Sequence, residues 1–300
     1  MSKPDLSIII LNYNTKELLG NCLSSLEKLK GEVKFEVVVI DNGSSDGSVD
    51  MLKDKFSWVN VIETGENLGF GRGNNRARDH INSDYVLLLN SDTIVNKDTL
   101  RETLTYLKKN KLGAIGCRQI LANGELDKDA RRSFITPWIG LVHLFLKLDR
   151  VFPKSKLFAK YWYGYIPEDQ IHDCDALQGS FILTPKKVLD GVDWFDEDYF
   201  LDGEDIDLCW KIKNKGLRIV YYPKVSITHL KGATKGKNRK TKKYVSFSEK
   251  LKFRLSGVNS MEIFYRKRLW DRYPYFINLF VIFGINILKV IRVIQILILG

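Results

Sequence analysis

Leu6-Ser7-Ile8-Ile9-Ile10-Leu11-Asn12-Tyr13-Asn14 is the stretch that decides the fold. A short apolar run ending abruptly in asparagines is the pattern of a strand covered on both faces whose end opens onto a ligand site. Similar runs recur at 35–40, 59–62 and 85–89. Between the first two, Leu18, Leu19, Cys22, Leu23, Leu26 and Leu29 fall at helical spacing. The unit is therefore strand, helix, strand, which calls for parallel pairing and a right-handed crossover. Further helices are expected over 47–56, 71–81 and 97–109, the last with Leu100, Leu104 and Leu107 inward. The fold class that follows is α/β, an open, doubly wound, mostly parallel twisted sheet flanked by helices.

Downstream, the pattern loosens through 131–166, which is rich in aromatic residues and is assigned to the acceptor side. Order returns at 175–183 and 186–189, then in a loop at 194–204, a helix over 205–215 and a strand at 218–222. Gly216 suits the left-handed cap of such a helix. The expected division is a principal domain at 1–243, in two halves at about 1–117 and about 118–243, and a C-terminal helical region at 244–300. Within that region 275–299 is almost wholly apolar and, at roughly 20 residues per crossing, long enough to span a bilayer. Asn278, Asn286, Lys289, Arg292 and Gln295 leave one polar face, which favours lying in the interface, with a single span as the competitor. Arg266, Lys267, Arg268 and Arg272 precede it and set the domain on the cytoplasmic side.

A hydrophobic content of 44% excludes disorder as the dominant state. The net charge of +11 favours phosphates, anionic lipid or nucleic acid as partners without choosing among them. Cys22, Cys117, Cys174 and Cys209 are widely scattered, as expected of reduced thiols in a cytosolic compartment. The apolar run at 6–11 is too short and wrongly flanked for a signal peptide, so no export is expected.

In open parallel sheets ligands sit beyond the carboxyl ends of the strands. The first strand is followed by Asn12 and Asn14, the second by Asp41-Asn42-Gly43-Ser44-Ser45-Asp46-Gly47-Ser48. There Asp41 is placed to accept hydrogen bonds from a nucleoside, and the Gly and Ser residues expose backbone donors; the same residues also make a capping turn. The run Asn67-Leu68-Gly69-Phe70-Gly71-Arg72-Gly73-Asn74-Asn75 is a glycine-rich turn opening a helix, whose amides and Arg72 suit phosphate oxygens. Its spacing is neither a dinucleotide fingerprint nor a P-loop. After the strand at 85–89, Asn90-Ser91-Asp92 puts a carboxylate where a hard cation bridging two phosphates is held, or where an Asp caps a helix. Asp202-Gly203-Glu204-Asp205-Ile206-Asp207 enters a helix whose dipole keeps carboxylates ionised, so Glu204, Asp205 and Asp207 are all candidates for a general base. His229, after a strand-like 225–227, is a candidate neutral imidazole ligand to the same cation. A basic run from Lys231 to Lys243 follows, suited to a diphosphate or to solvent.

With Gln178-Gly179-Ser180-Phe181 added, these segments in this order resemble glycosyltransferase family 2, most closely its rhamnosyltransferase-like branch, over about residues 6–232. The resemblance implies the GT-A nucleotide-diphospho-sugar transferase fold, with a membrane-associating helical tail appended. It implies a donor site drawing on Asn12, Asn14, Asp41, Ser44, Gly69, Arg72, Asn75, Asn90 and Gly179, with Asp41 on the nucleobase. Asp92 would hold a divalent cation, Mg2+ or Mn2+, and His229 would complete metal or diphosphate binding. Asp205, or its neighbour Glu204, would be the catalytic base. The family's D-x-D pattern stands here as Asn90-Ser91-Asp92, with a single carboxylate. The expected reaction is inverting transfer of a sugar, rhamnose favoured, from a dTDP- or UDP-linked donor to a hydroxyl of a glycan or lipid-linked glycan precursor, at the cytoplasmic face of a membrane and without nucleic acid. The rival readings are a sugar nucleotidyltransferase and a non-catalytic basic binding module.

Overall fold

The computed structural model describes residues 3–230 and 247–299. The basic run at 231–243 and the boundary placed at 243 lie outside the described residues. The first half runs β1 (Leu6–Asn12), α1 (Lys16–Glu27), β2 (Phe35–Asp41), α2 (Ser48–Lys55), β3 (Asn60–Glu63), α3 (Phe70–Asn75), β4 (Tyr85–Asn90), β5 (Thr93–Val95), α4 (Thr99–Asn110) and β6 (Ala114–Leu121). After β6 come β7 (Arg131–Arg132), α5 (Pro137–Gly140), which continues as a π-helical turn over Leu141–Leu146, and α6 (Leu148–Val151). They are followed by β8 (His172–Asp173), β9 (Ala176–Leu177), β10 (Phe181–Pro185), α7 (Lys186–Gly191), α8 (Glu204–Asn214) and β11 (Ile219–His229). Two long helices, α9 (Phe247–Phe264) and α10 (Tyr275–Leu299), close the chain.

The principal sheet runs β3-β2-β1-β4-β10-β6-β11-β5, with β8 pairing to β11. Its first four strands are parallel, as expected, but β10 is antiparallel to both β4 and β6, so the second half is mixed. The two strands expected at 218–222 and 225–227 are one, β11, with an irregularity between Tyr222 and Ser226. The expected helix at 71–81 is shorter: α3 ends at Asn75 and a 3-10 turn follows at Arg78–His80. Two glycines within a six-residue helix lower its propensity to continue.

The continuous apolar runs follow from burial on both faces. Ile8 and Ile10 face a core shared with Leu19, Leu23, Leu100 and Leu104, while Ile9 faces the opposite core with Trp194, Tyr199 and Leu208. The C-terminal region is built into this second core through Val258, Phe264, Tyr265, Leu269 and Ile285.

Expectations for that region are partly overturned. Of the polar residues in α10, Asn278 is buried, accepting from Tyr265 Oη at 2.7 Å and donating to the carbonyls of Trp270 and Tyr273. Lys289 pairs with Glu262 at 2.6 Å. These groups turn toward the protein because only there do they find partners, whereas Phe276, Phe280, Phe283, Val290 and Leu297 face outward. Asn286, Arg292 and Gln295 remain exposed. The cations before α10 are also engaged: Lys267 with Asp196 and Asp198, Arg266 with Glu262, Arg272 over the Trp210 ring.

Arg268 clamps the fully buried Asp207 through two bonds, Nε to Oδ1 at 2.6 Å and Nη2 to Oδ2 at 3.1 Å, tying α8 to the C-terminal region. Removing one partner strands the other charge. Arg268→Ala should therefore destabilise the protein by about 3 kcal/mol, read as a lower denaturation midpoint; an unchanged midpoint would remove this pair from the account.

Candidate active site

The chain order in the sheet reverses at β1, which has β2 on one side and β4 on the other. Such a switch point opens a crevice beyond the strand ends. The ends there stand level, Asn12 in register with Asp41 and Leu11 with Asn90.

A cavity of about 200 Å³ occupies this crevice, and Asn90, Asp92, Glu204, Asp205, Gly69 and Gly179 contribute to its lining together with His229. Asn12, Asn14, Asp41 and Ser44 form a hydrogen-bonded unit at the same edge. Asn12 Nδ2 donates to Asp41 Oδ2 at 2.8 Å and Ser44 N to Asp41 Oδ1 at 2.8 Å, while the Asn14 amide donates to Ser44 Oγ. This unit underlies the wall at Leu11, Tyr13 and Asn42 rather than lining the cavity itself.

Two expected donor residues turn elsewhere. Arg72 pairs with Glu197 at 3.0 Å, and Asn75 bonds the Phe195 carbonyl and Glu197. The short α3 points both side chains at the 195–197 loop, whose acceptors capture them. The role of Gly69 is close approach: its φ is +86°, and an added Cβ would lie 2.4 Å from the Phe200 carbonyl oxygen.

Asp205 enters from the first turn of α8. Its Oδ2 accepts from the Gly179 amide at 3.0 Å and from Arg132 Nη2 at 2.6 Å. Burial opposes charge on Arg132, but the charge of Asp205, joined by Tyr161, Asp129 and the hydrogen bond to Asp205, outweighs it and raises the pKa. Asp207, clamped by Arg268 and bonded by Tyr199, does not line the cavity, which leaves Glu204 and Asp205 as the carboxylates of this helix that do.

Asp92 and His229 are both buried. His229 Nε2 lies 3.4 Å from Asp92 Oδ1, and Nδ1 lies 3.0 Å from Asp127 Oδ2. Burial alone lowers the pKa of this imidazole, but bonds and charges from Asp127 and Asp92 outweigh it and hold the value at about 9. With no cation bound, these two carboxylates favour the protonated ring.

Among the described residues, two buried atoms around the cavity, Arg132 Nε and Gln178 Oε1, lack hydrogen-bond partners. Orphans concentrated in one place mark a site shaped for a polar ligand. One carboxylate oxygen beside an imidazole fits a hard cation that completes its shell with phosphate oxygens and water. Among the described residues no cluster of three or more His, Cys, Asp or Glu side chains is placed to hold a metal by itself.

Sequence reasoning missed Arg132 and Asp127, and gave Gln178 no role of its own. The dense signed run Asp127-Lys128-Asp129-Ala130-Arg131-Arg132 was the available signal, since charges packed around an apolar residue seek internal partners.

A family model described as glycosyl transferase family 2 matches residues 7–166. The chain belongs to glycosyltransferase family 2. Similar curated proteins include the low-salt glycan biosynthesis hexosyltransferase Agl10 of Haloferax volcanii, 26% identical over 226 residues, covering 72% of this chain and 64% of that protein. Another is a poly-beta-1,6-N-acetyl-D-glucosamine synthase of Staphylococcus aureus, 27% identical over 233 residues, covering 74% of this chain and 50% of that protein. The chain thus spans half to just under two thirds of these relatives. Among solved structures, S. aureus TarS 1-349 in complex with UDP-GlcNAc superposes with a TM-score of 0.55 at 18% identity, over 85% of this chain and 66% of that one. This family member has the GT-A-like fold, a curled mixed sheet flanked by helices.

The His229 contacts carry a pH signature. A folded pKa of about 9 against an ordinary 6.5 means that the proton's contribution to stability is complete below pH 6.5 and is lost as pH rises through 9. In cation-free buffer the melting temperature should therefore fall across that window, and the fall should be smaller in Asp127→Asn; equal slopes would refute the assignment.

Proposed function

We propose that this chain is an inverting, metal-assisted glycosyltransferase that moves a sugar, rhamnose favoured, from a dTDP- or UDP-linked donor to a hydroxyl of a glycan or lipid-linked glycan precursor. The observation that carries this reading is the convergence of Asp92, His229, Glu204 and Asp205 on one cavity at the sheet's switch point. Family membership supports a transferase over a nucleotidyltransferase or a basic binding module. The hexosyltransferase relative and the UDP-GlcNAc complex of TarS support a nucleotide-sugar donor.

Asp205 is the proposed base, fixed by the Gly179 amide and paired with Arg132 in the first turn of α8. It takes the acceptor hydroxyl's proton while the oxygen attacks the anomeric carbon from the face opposite the departing diphosphate, so configuration inverts. Glu204, on the same cavity, is the alternative base. Asn12, Asp41 and Ser44 shape the nucleoside end, and Asp92 with His229 the diphosphate end. A divalent cation, Mg2+ or Mn2+, would be held by Asp92 and His229 and supplies charge neutralisation to the leaving group when bound.

The proposed location is the cytoplasmic face of a membrane, reached through α10. Among the described residues one helix, over Tyr275–Ile298, is long and apolar enough to cross a bilayer, and little of it is covered by the rest of the protein.

A panel of nucleotide sugars with Mg2+ or Mn2+ tests the reading through donor binding and slow hydrolysis. For the donor so found, Asp205→Asn should lower transfer by about a hundred- to ten-thousandfold, the usual worth of a general base, with donor affinity essentially unchanged. Full turnover in Asp205→Asn would remove Asp205 as the base and pass the role to Glu204.

A further inference from the structure

A second cavity, of about 370 Å³, lies against the first. Its walls are Leu141, Leu144 and Phe145 from the α5 segment, Met261 and Phe264 from α9, and Leu288 from α10. It is more than twice the size of an apolar cavity of about 150 Å³ that stays dry and takes up benzene. Where Gly284 of α10 passes the α5 segment, an added Cβ would lie 3.2 Å from Phe145 Cζ, so the two elements close one side of the chamber.

Three observations fix what this chamber takes. Its inner end is formed by Arg132, Asp202 and Gly203, which also line the catalytic cavity, so the two spaces meet at a shared wall. At that wall Arg132 holds Asp205 through Nη2, while its buried Nε has no hydrogen-bond partner among the described residues, a donor that an anionic oxygen would satisfy once the guanidinium turns. At the outer end Phe145 on one side and Phe280, Phe283 and Ile287 on the other are exposed, giving an apolar rim continuous with the outward face of α10. A soluble glycan has no use for such a passage. An amphiphile fits it along its whole length.

We propose that this chamber receives the hydrocarbon chain of a membrane lipid acceptor, with the lipid's anionic head group engaging Arg132 beside Asp205. The proposal rests on the glycosyltransferase reading and supplies its acceptor class. Arg132 is then a positioning residue. Its ion pair occupies Asp205 Oδ2, which the Gly179 amide also bonds, and the head group draws the guanidinium away, opening one position on that oxygen for the proton only when an acceptor is seated.

The test uses the full chain in detergent with farnesyl phosphate bearing a diazirine as the probe. Irradiation should label Phe145, Phe264 or Leu288. Unlabelled farnesyl phosphate should compete strongly, farnesol weakly, and inorganic phosphate not at all. Leu144→Trp and Met261→Trp, which fill the chamber, should cut labelling on the order of tenfold, the loss of about two buried methylenes, while leaving nucleotide-sugar hydrolysis and melting temperature unchanged. Arg132→Gln should weaken capture of farnesyl phosphate but not of farnesol. Labelling confined to the outer face of α10 at Phe276, Val290 or Leu297, or undiminished in folded tryptophan variants, would overturn the chamber assignment. A wild type that hydrolyses no nucleotide sugar yet is labelled in the chamber would instead sink the transferase reading and leave the lipid site standing.

Discussion

The covering of both faces of β1 and its neighbours is the constraint on which the rest of the molecule depends. A strand with helices on either side can carry polar side chains only at its ends, because a polar group in the middle would be buried without a partner. Asn12, Asp41 and Asn90 are therefore pushed to one edge together, and the reversal of strand order at β1 leaves a crevice there. The chemistry is confined to that crevice by the same apolar packing that holds the sheet together.

Much of this was legible in the sequence because it depends on local periodicity. Alternating apolar strands and amphipathic helices gave the parallel half, and the polar residues terminating each run marked the strand ends. What escaped was whatever depends on pairing across long separations. The antiparallel insertion of β10 between β4 and β6 has no signature within Phe181–Pro185 itself. Arg132 meets Asp205, and Asp127 meets His229, from more than seventy residues away in the chain. The partner that Arg72 has here, Glu197, comes from a loop far along the chain and has no signature beside the glycines that suggested a phosphate ligand.

Electrostatics follow the same division. The formal charge of +11 suggests a broadly basic surface, yet Arg132, Lys267 and Arg268 are each committed to carboxylates that the fold brings to them. The Arg132 and Arg268 pairs are at least partly buried, where an uncompensated charge costs most, while the Lys267 pair is more open to water. The sign of a residue in the sequence is thus a poor guide to the field it projects unless its partner is known.

The inward-facing Asn278 has a practical corollary for anyone shortening the chain. Its amide closes off the Trp270 and Tyr273 carbonyls and its oxygen receives the Tyr265 hydroxyl, while Ile285 caps the neighbouring aromatic residues. Cutting before residue 275 to obtain a more tractable fragment would strip these partners away and leave Phe264, Tyr265 and Leu269 facing solvent. The greasy terminal helix is as much the lid of the enzyme's interior as a handle on its surroundings, and a fragment without it would trade one solubility problem for another.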